Sequence, residues 1–181
     1  MAIRDIILLG HPTLRQKARK VTKFGLEVKQ LIEDMIETMR AAPGVGLAAP
    51  QVNVLQRVIV IEIPEDKEEG TPAELYAVVN PEIVKTSREI EEGQEGCLSI
   101  PGYVGEVPRR TMVVVRGQDA YGKPQRIRAY DYLARVLQHE IDHLEGVMFI
   151  DRVTDPAKIH KVTAEEAAHP TAEVTEALAF A

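Results

Sequence analysis

One run of ten residues constrains this chain more than any other: Leu137-Gln138-His139-Glu140-Ile141-Asp142-His143-Leu144-Glu145-Gly146. It contains His-Glu-x-x-His. Residues four apart share one face of an α-helix, about one turn apart along its axis. His139 and His143 can therefore aim at a single metal ion. Glu140 stands beside the first of them, where a carboxylate can handle a proton on a water at that metal. Val136, Leu137, Ile141 and Leu144 are apolar, so the helix has to be largely buried. It is predicted over 131–145, closed by Gly146. Two histidines do not complete a catalytic site, and the chain has to supply a third ligand from elsewhere.

Cys97 is the natural candidate. It is the only cysteine, so no internal disulfide can form. A lone cysteine is most often a small buried hydrophobe, but a divalent cation nearby favours the thiolate. It sits in Gly93-Gln94-Glu95-Gly96-Cys97-Leu98-Ser99-Ile100-Pro101, a turn-rich segment able to approach a helix. Cys-His-His leaves one tetrahedral position for water, the arrangement of a catalytic site rather than a closed structural one. A bound metal brings the pKa of water from about 15.7 to near 7. Attack on a carbonyl then creates an oxyanion, which needs donors such as a side-chain amide or backbone N–H groups. Gln51 and the N–H of Leu98 are candidates, and Glu140 can move the proton from water to a leaving amine. These residue types point to metal-assisted hydrolysis of an amide-like bond.

The remaining sequence supplies a scaffold for that helix. Val28, Leu31, Ile32, Met35, Ile36 and Met39 recur at three- and four-residue spacing, which predicts an amphipathic helix over 26–42, ended by Pro43-Gly44. Gly44-Val45-Gly46-Leu47-Ala48-Ala49-Pro50-Gln51 reads as a small-residue loop and makes a poor nucleotide loop, lacking the third glycine and the Lys-Ser/Thr ending. Strands are predicted at 57–63, at 76–84 with an interruption at Asn80-Pro81, and at a charged edge over 86–93. Residues 111–116 and 125–128 flank a turn and predict a hairpin. Strands followed by a late buried helix indicate an α+β domain. At 181 residues one catalytic domain over 1–155 is expected, followed by an acidic, Ala-rich helix or tail over 156–181 with its helix near 156–168. A formal charge of −6 argues against DNA binding, which needs clustered Lys and Arg. The basic group Arg15, Lys17, Arg19, Lys20 and Lys23 reads as a solvated loop. No apolar run approaches the roughly 20 residues of a membrane span, and no secretory leader opens the sequence, so a cytoplasmic protein is expected.

Three segments together, Gly44 to Gln51, Glu95-Gly96-Cys97-Leu98-Ser99 and Gln138-His139-Glu140-Ile141-Asp142-His143, resemble the signature motifs of the peptide deformylases, in the same order and with similar spacing. Gly10-His11-Pro12-Thr13-Leu14-Arg15 resembles the opening of that family, and the likeness runs over about residues 1–155. The resemblance implies removal of the N-formyl group from formylmethionine on nascent peptides, releasing formate. It implies small antiparallel sheets surrounding a central helix that carries the His-Glu-x-x-His motif. It assigns Cys97, His139 and His143 to the metal, Glu140 to general acid–base work, and Gln51 with the Leu98 N–H to the formyl oxygen. Gly46 falls where the backbone pairs with substrate. Val45, Tyr132 and Val136 fall where the methionine pocket is lined. Glu95 and Arg109 fall where a supporting ion pair orients the cysteine segment. Ligand softness alone suggests zinc, while the family implies Fe(II), with nickel, cobalt or zinc as replacements.

Some features depart from the family. Val104 stands where some relatives place an arginine, seven residues after the metal cysteine. Arg135 places a charge next to Val136 at the pocket rim. Some relatives dock transiently on the ribosome through a basic C-terminal helix, which is not evident here because the tail from Asp155 is net acidic. Two other readings fit part of the pattern. A zincin-type protease would usually draw its third ligand from downstream, and a non-catalytic metal-binding domain would not need Glu140 or Gln51.

Overall fold

The computed structural model describes residues 2–42, 44–65, 70 and 72–163. Two α-helices and eight strands build it: α1 (Leu26–Ala41), β1 (Gly46–Ala48), β2 (Val58–Ile63), β3 (Glu74–Thr86), β4 (Ile90–Glu95), β5 (Tyr103–Arg110), β6 (Met112–Gln118), β7 (Pro124–Tyr130), α2 (Asp131–Leu144) and β8 (Ile159–Lys161). All pairings between these strands are antiparallel. Five strands form one sheet in the order β1-β2-β3-β6-β7, and three form another in the order β4-β5-β8.

The run Val58-Ile59-Val60-Ile61 shows why the larger sheet has no solvent face along β2. Ile59 and Ile61 pack with Val136, Leu137, Ile141 and Leu144 of α2. Val58 and Val60 pack with Val28, Leu31, Ile32, Met35 and Met39 of α1. Successive side chains point to opposite faces, so a strand covered on both sides reads as a continuous apolar run. A third cluster places Cys97 with Leu14, Ile100, Val107, Met148 and Phe149. Burying each of these large side chains stabilises the fold by about 1.5–3 kcal/mol, and the first cluster fixes α2 on the larger sheet.

The helices predicted over 26–42 and 131–145 and the hairpin, now β6 and β7, stand as expected. The strand at 76–84 extends to Glu74–Thr86 and crosses its Asn80-Pro81 interruption with a register shift. Asn80 adopts φ 53°, an uncommon conformation. Its side chain accepts from the Val21 N–H at 2.8 Å and donates to the Val21 carbonyl at 2.9 Å, which holds it there. The loop at 44–51 contains a short strand, β1. The tail differs from expectation. Only a 3-10 turn forms at Pro156–Lys158, and Ile159–Lys161 then pairs with β5 instead of continuing a helix. The open edge of β5 supplies hydrogen-bond partners that a helical start at Pro156 would not. Expectations for residues 164–181 lie outside the described residues.

Candidate metal centre

Helix α2 carries both histidines on its buried side: His139 is 2 % exposed and His143 1 %. The turn after β4 brings the fully buried Cys97 to the same point. Cys97 Sγ lies 3.4 Å from His143 Nε2. His143 Nε2 lies 3.1 Å from His139 Nε2. One ligand atom from each of the three lies within 4.8 Å of the other two, and among the described residues they are the group suited to hold a metal ion. Tetrahedral donors at about 2.0–2.3 Å from a cation stand roughly 3.3–3.8 Å apart, and the 3.1 Å and 3.4 Å separations here lie close to that range.

The hydrogen bonds around the trio set its chemistry. His139 Nδ1 faces Glu95 Oε2 at 2.9 Å. That bond assigns the proton to Nδ1 and leaves the Nε2 lone pair for a cation. Burial first, and then His139, holds the His143 imidazole well below its ordinary pKa, which keeps it neutral and able to ligate. Burial pushes the Cys97 thiol up to about 12, partly offset by hydrogen bonding from Ser99. A divalent cation at the trio favours the thiolate and opposes the effect of burial.

Glu95 is fully buried and fully engaged. Arg109 donates to Oε1 from Nε at 2.8 Å and to Oε2 from Nη2 at 2.9 Å. Arg135 Nη1 donates to Oε1 at 3.0 Å. Burial raises its pKa, but Arg109 and His139 outweigh that and hold the carboxyl at about 2. Arg109 also reaches Asp142 Oδ2 at 2.6 Å, and Arg152 closes on the same carboxylate. Asp142 was a silent position of the motif in the sequence. It lies three residues from His139, and an acid at that helical spacing with a buried arginine to match was the available signal.

Glu140 has a different environment. Among the described residues its Oε2 is buried without a hydrogen-bond partner. Burial, then the charge of Glu95, raises its pKa well above the usual carboxylate range. Gly46 of β1 faces it so closely that a Cβ there would stand 2.3 Å from Glu140 Oε1. Gln51 is oriented by its own backbone neighbour: the Ala48 N–H donates to Oε1 at 2.8 Å. Its Nε2 consequently faces Cys97 Sγ at 3.6 Å and Ser99 Oγ at 3.3 Å. Leu98, adjacent to Cys97, is 7 % exposed and packs in the cluster with α1.

Other candidates are placed as follows. Val45 and Val136 lie in the apolar cluster between the sheet and α2, and Tyr132 packs against it. Tyr132 also borders a cavity of about 400 Å³ together with Gly93, Gln94 and Arg135. Val104 is buried in β5, in register with His160 of β8.

Among known proteins, residues 3–158 match the family model described as polypeptide deformylase. The peptide deformylase of Thermomicrobium roseum is 51 % identical over 167 residues, covering 92 % of this chain and 94 % of the relative. The crystal structure of a peptide deformylase from Legionella pneumophila superposes with a TM-score of 0.79 at 44 % identity, covering 87 % of this chain and 89 % of that one. A Met-Ala-Ser-bound class I type b peptide deformylase from Acinetobacter baumannii gives a TM-score of 0.78 at 34 % identity, covering 84 % and 99 %.

Proposed function

The chain belongs to the polypeptide deformylase family, and from that premise we propose how its own residues carry the reaction. The protein is a metal-dependent hydrolase that removes the N-formyl group from the formylmethionine of newly synthesised polypeptides and releases formate. The observation that carries the assignment of residues is the convergence of Cys97 Sγ, His139 Nε2 and His143 Nε2 on one buried point beside Glu140.

In this reading Cys97, His139 and His143 hold one divalent cation, Fe(II) by family likeness, with zinc, nickel or cobalt able to replace it. Bound there, a divalent cation supplies Lewis acidity and brings water's pKa toward neutrality. Glu95 orients His139, and Arg109 fixes Glu95, so the ligand ring stays in place. Glu140 takes a proton from the attacking water and returns it to the departing amine nitrogen. Its raised pKa suits a group that must hold a proton at neutral pH and then give it up. Gln51 Nε2 and the Leu98 N–H donate to the formyl oxygen as negative charge develops on it.

The substrate is an N-formylmethionyl nascent peptide. Met-Ala-Ser, bound to the Acinetobacter relative, is what formyl-Met-Ala-Ser becomes when its formyl group leaves. Strand β1 ends the larger sheet, and Gly46 in it lets a peptide backbone approach and extend that sheet. Val45, Tyr132 and Val136 contribute apolar surface for the methionine side chain. The catalytic domain extends past residue 155 to take in β8, which pairs with β5. The protein acts in the cytoplasm, and any contact with the ribosome is transient. Formate release from formyl-Met-Ala-Ser under anaerobic conditions, with metal analysis of the same sample, tests the reading. Casein cleavage without formate release would point to a protease instead.

A further inference from the structure

The segment from Ile7 to Thr13 is bonded to the loops on both sides of the site. Gln51 lies in the 3-10 turn Ala49–Val52, which follows β1 of the larger sheet, and Leu98 lies in the turn that follows β4 of the smaller one. The two groups assigned to the formyl oxygen thus come from different sheets. The Ile7 N–H donates to the Gln51 carbonyl at 2.8 Å, and the Leu9 N–H donates to the Ser99 carbonyl at 2.8 Å. The Thr13 hydroxyl then returns to the first loop, donating to Asn53 Oδ1 at 2.7 Å. Ile6 packs against the cluster that holds Leu98, and Ile7 against the cluster that holds Cys97. Upstream the chain is tied to α1, where the Arg4 N–H donates to Thr38 Oγ1 at 2.9 Å and the Arg4 guanidinium to Asp34.

The turn at Leu8–His11 shows that the Leu9 amide is reserved for its bond. The His11 N–H donates to the Leu8 carbonyl at 3.1 Å, and Gly10 has φ 106°. A tight turn with positive φ at its second central residue alone is type II, and its first central position favours proline. Leucine stands there, 44 % exposed, and its N–H goes to Ser99, which is fully buried. Proline would suit the turn but leave the Ser99 carbonyl without that donor.

We propose that the Ile7–Thr13 segment is a staple that positions the oxyanion donors, with Leu9 as a positioning residue acting through its N–H. The staple holds the Gln51 turn and the Cys97–Ser99 turn at one separation, so that Gln51 Nε2 and the Leu98 N–H reach the same oxygen. This rests on the deformylase reading. Negative charge on that oxygen is greatest in the transition state, so a donor moved off it lowers kcat and leaves KM nearly unchanged.

The test uses the metal-loaded wild-type protein, Leu9→Pro, Leu9→Ala, Thr13→Val, Gln51→Ala and the Leu9→Pro/Gln51→Ala double variant. Formate release from formyl-Met-Ala-Ser gives kcat and KM, and metal content and Tm are read on the same samples. The zinc-loaded proteins give the Gln51 side-chain NH2 resonances by heteronuclear NMR. For Leu9→Pro, kcat should fall about tenfold, part of the about 10²–10³-fold lost when such a donor is deleted. Its KM should stay within about twofold, its metal content should hold, and the Gln51 resonances should move. Leu9→Ala keeps the N–H, so its kcat should stay within about twofold of the wild type and the resonances should not move. Thr13→Val keeps the side chain's shape and loses the bond to Asn53, so kcat should fall about threefold. With Gln51 truncated there is no second donor to align, and Leu9→Pro should then cost less than about twofold more.

Unchanged kcat or unmoved Gln51 resonances in Leu9→Pro overturn the proposal. So does a loss of metal that accounts for the lost activity, and so do additive losses in the double variant, which would place the effect on Cys97 or Leu98 alone. An equal loss in Leu9→Ala overturns it too, because the side chain and not the N–H would then matter. Should Leu9→Pro fail to fold, an unchanged kcat in Thr13→Val overturns it. An active wild-type protein with unaltered variants sinks the proposal alone, whereas a wild-type protein releasing no formate sinks the deformylase reading and this inference with it.

Discussion

Gly46 of β1 and Glu140 of α2 meet without room for another atom: a Cβ on Gly46 would lie 2.3 Å from Glu140 Oε1 and 2.8 Å from its Cδ. The contact joins the strand proposed to pair with substrate to the carboxyl proposed to move the proton. Gly46→Ala must therefore displace Glu140 or push β1 away from α2. Activity should fall by about a hundredfold, since misplacing a catalytic group by about 1 Å has that order of effect. Metal content should stay near that of the wild type, because the three heavy atoms nearest a Cβ on Gly46 all belong to Glu140 and none to a metal ligand. Steady-state kinetics with metal analysis checks both, and a fully active Gly46→Ala would show that Glu140 has more freedom than this packing implies.

Glu140 can be probed directly. Glu140→Ala should keep the metal and lose deformylation by about 10²–10⁴-fold, the usual range for removing a general acid–base group. It also removes a buried oxygen that lacks a hydrogen-bond partner among the described residues. Thermal stability should therefore hold or rise, because an unsatisfied buried polar atom costs about 1–3 kcal/mol. A variant that keeps full turnover would remove Glu140 from the proposed mechanism.

Glu95→Gln tests the support behind His139. The amide keeps the shape but not the charge that binds Arg109, Arg135 and His139 together. It leaves the buried Arg109 with Asp142 as its remaining carboxylate, and stability should fall by about 3 kcal/mol, as for breaking a buried ion pair. Metal affinity should drop about 10–100-fold, the typical cost of losing a group that orients a ligand. Competition with a chelator measures it, and an unaltered affinity would detach Glu95 from the metal site.

The site was more legible in the sequence than the fold around it. His139 and His143 announce themselves by spacing alone, and Cys97 follows because no other cysteine competes. The contacts that make those residues work are long-range. Nothing local says that Gly46 will press on Glu140, that Asp142 will share Arg109 with Glu95, or that Arg135 will lie on Gly93. Strand β5 escaped notice because its sequence, Tyr103 to Arg110, mixes Gly105, Pro108 and two arginines with only two buried valines. Its inward face buries Arg109 against carboxylates rather than apolar side chains, so the alternation that marks a strand fails there. Strand β1 is three residues of small side chains, stabilised by pairing with β2 and not by propensity. Helices α1 and α2 were readable because each has an apolar stripe facing the sheet.

Cys97→Asp replaces a soft donor by a hard one, and metal preference should move away from zinc and iron toward harder oxygen-seeking ions. Turnover should weaken in parallel. The substitution also places a carboxylate in a fully buried position beside Glu140 and Glu95, whose charges already disfavour a thiolate there. Metal analysis after growth in defined medium, together with formate release, reads the outcome. Unchanged metal identity and rate would mean that Cys97 is not a ligand.

Asp34 on α1 links stability to pH away from the site. Its Oδ1 accepts from Gln30 Nε2 at 2.8 Å and the Ala2 N–H at 2.9 Å. Its Oδ2 accepts from Arg4 Nε at 3.1 Å and Nη2 at 2.9 Å. The bond from Gln30 leads in lowering its pKa below the ordinary value, with burial opposing and Ala2 and Arg4 adding to the decrease. A carboxyl whose pKa is depressed in the folded chain stabilises it above the unfolded pKa of about 3.9, and that contribution fades as pH falls through the lower folded value. Asp34→Asn should therefore cost about 1 kcal/mol at pH 7, in line with the net worth of such hydrogen bonds. The gap between the variant and the wild type should close as pH drops below about 4. Denaturant melts of both proteins across that range provide the measurement, and a gap that stays constant with pH would mean that the Asp34 charge contributes nothing to holding the N-terminal segment on α1.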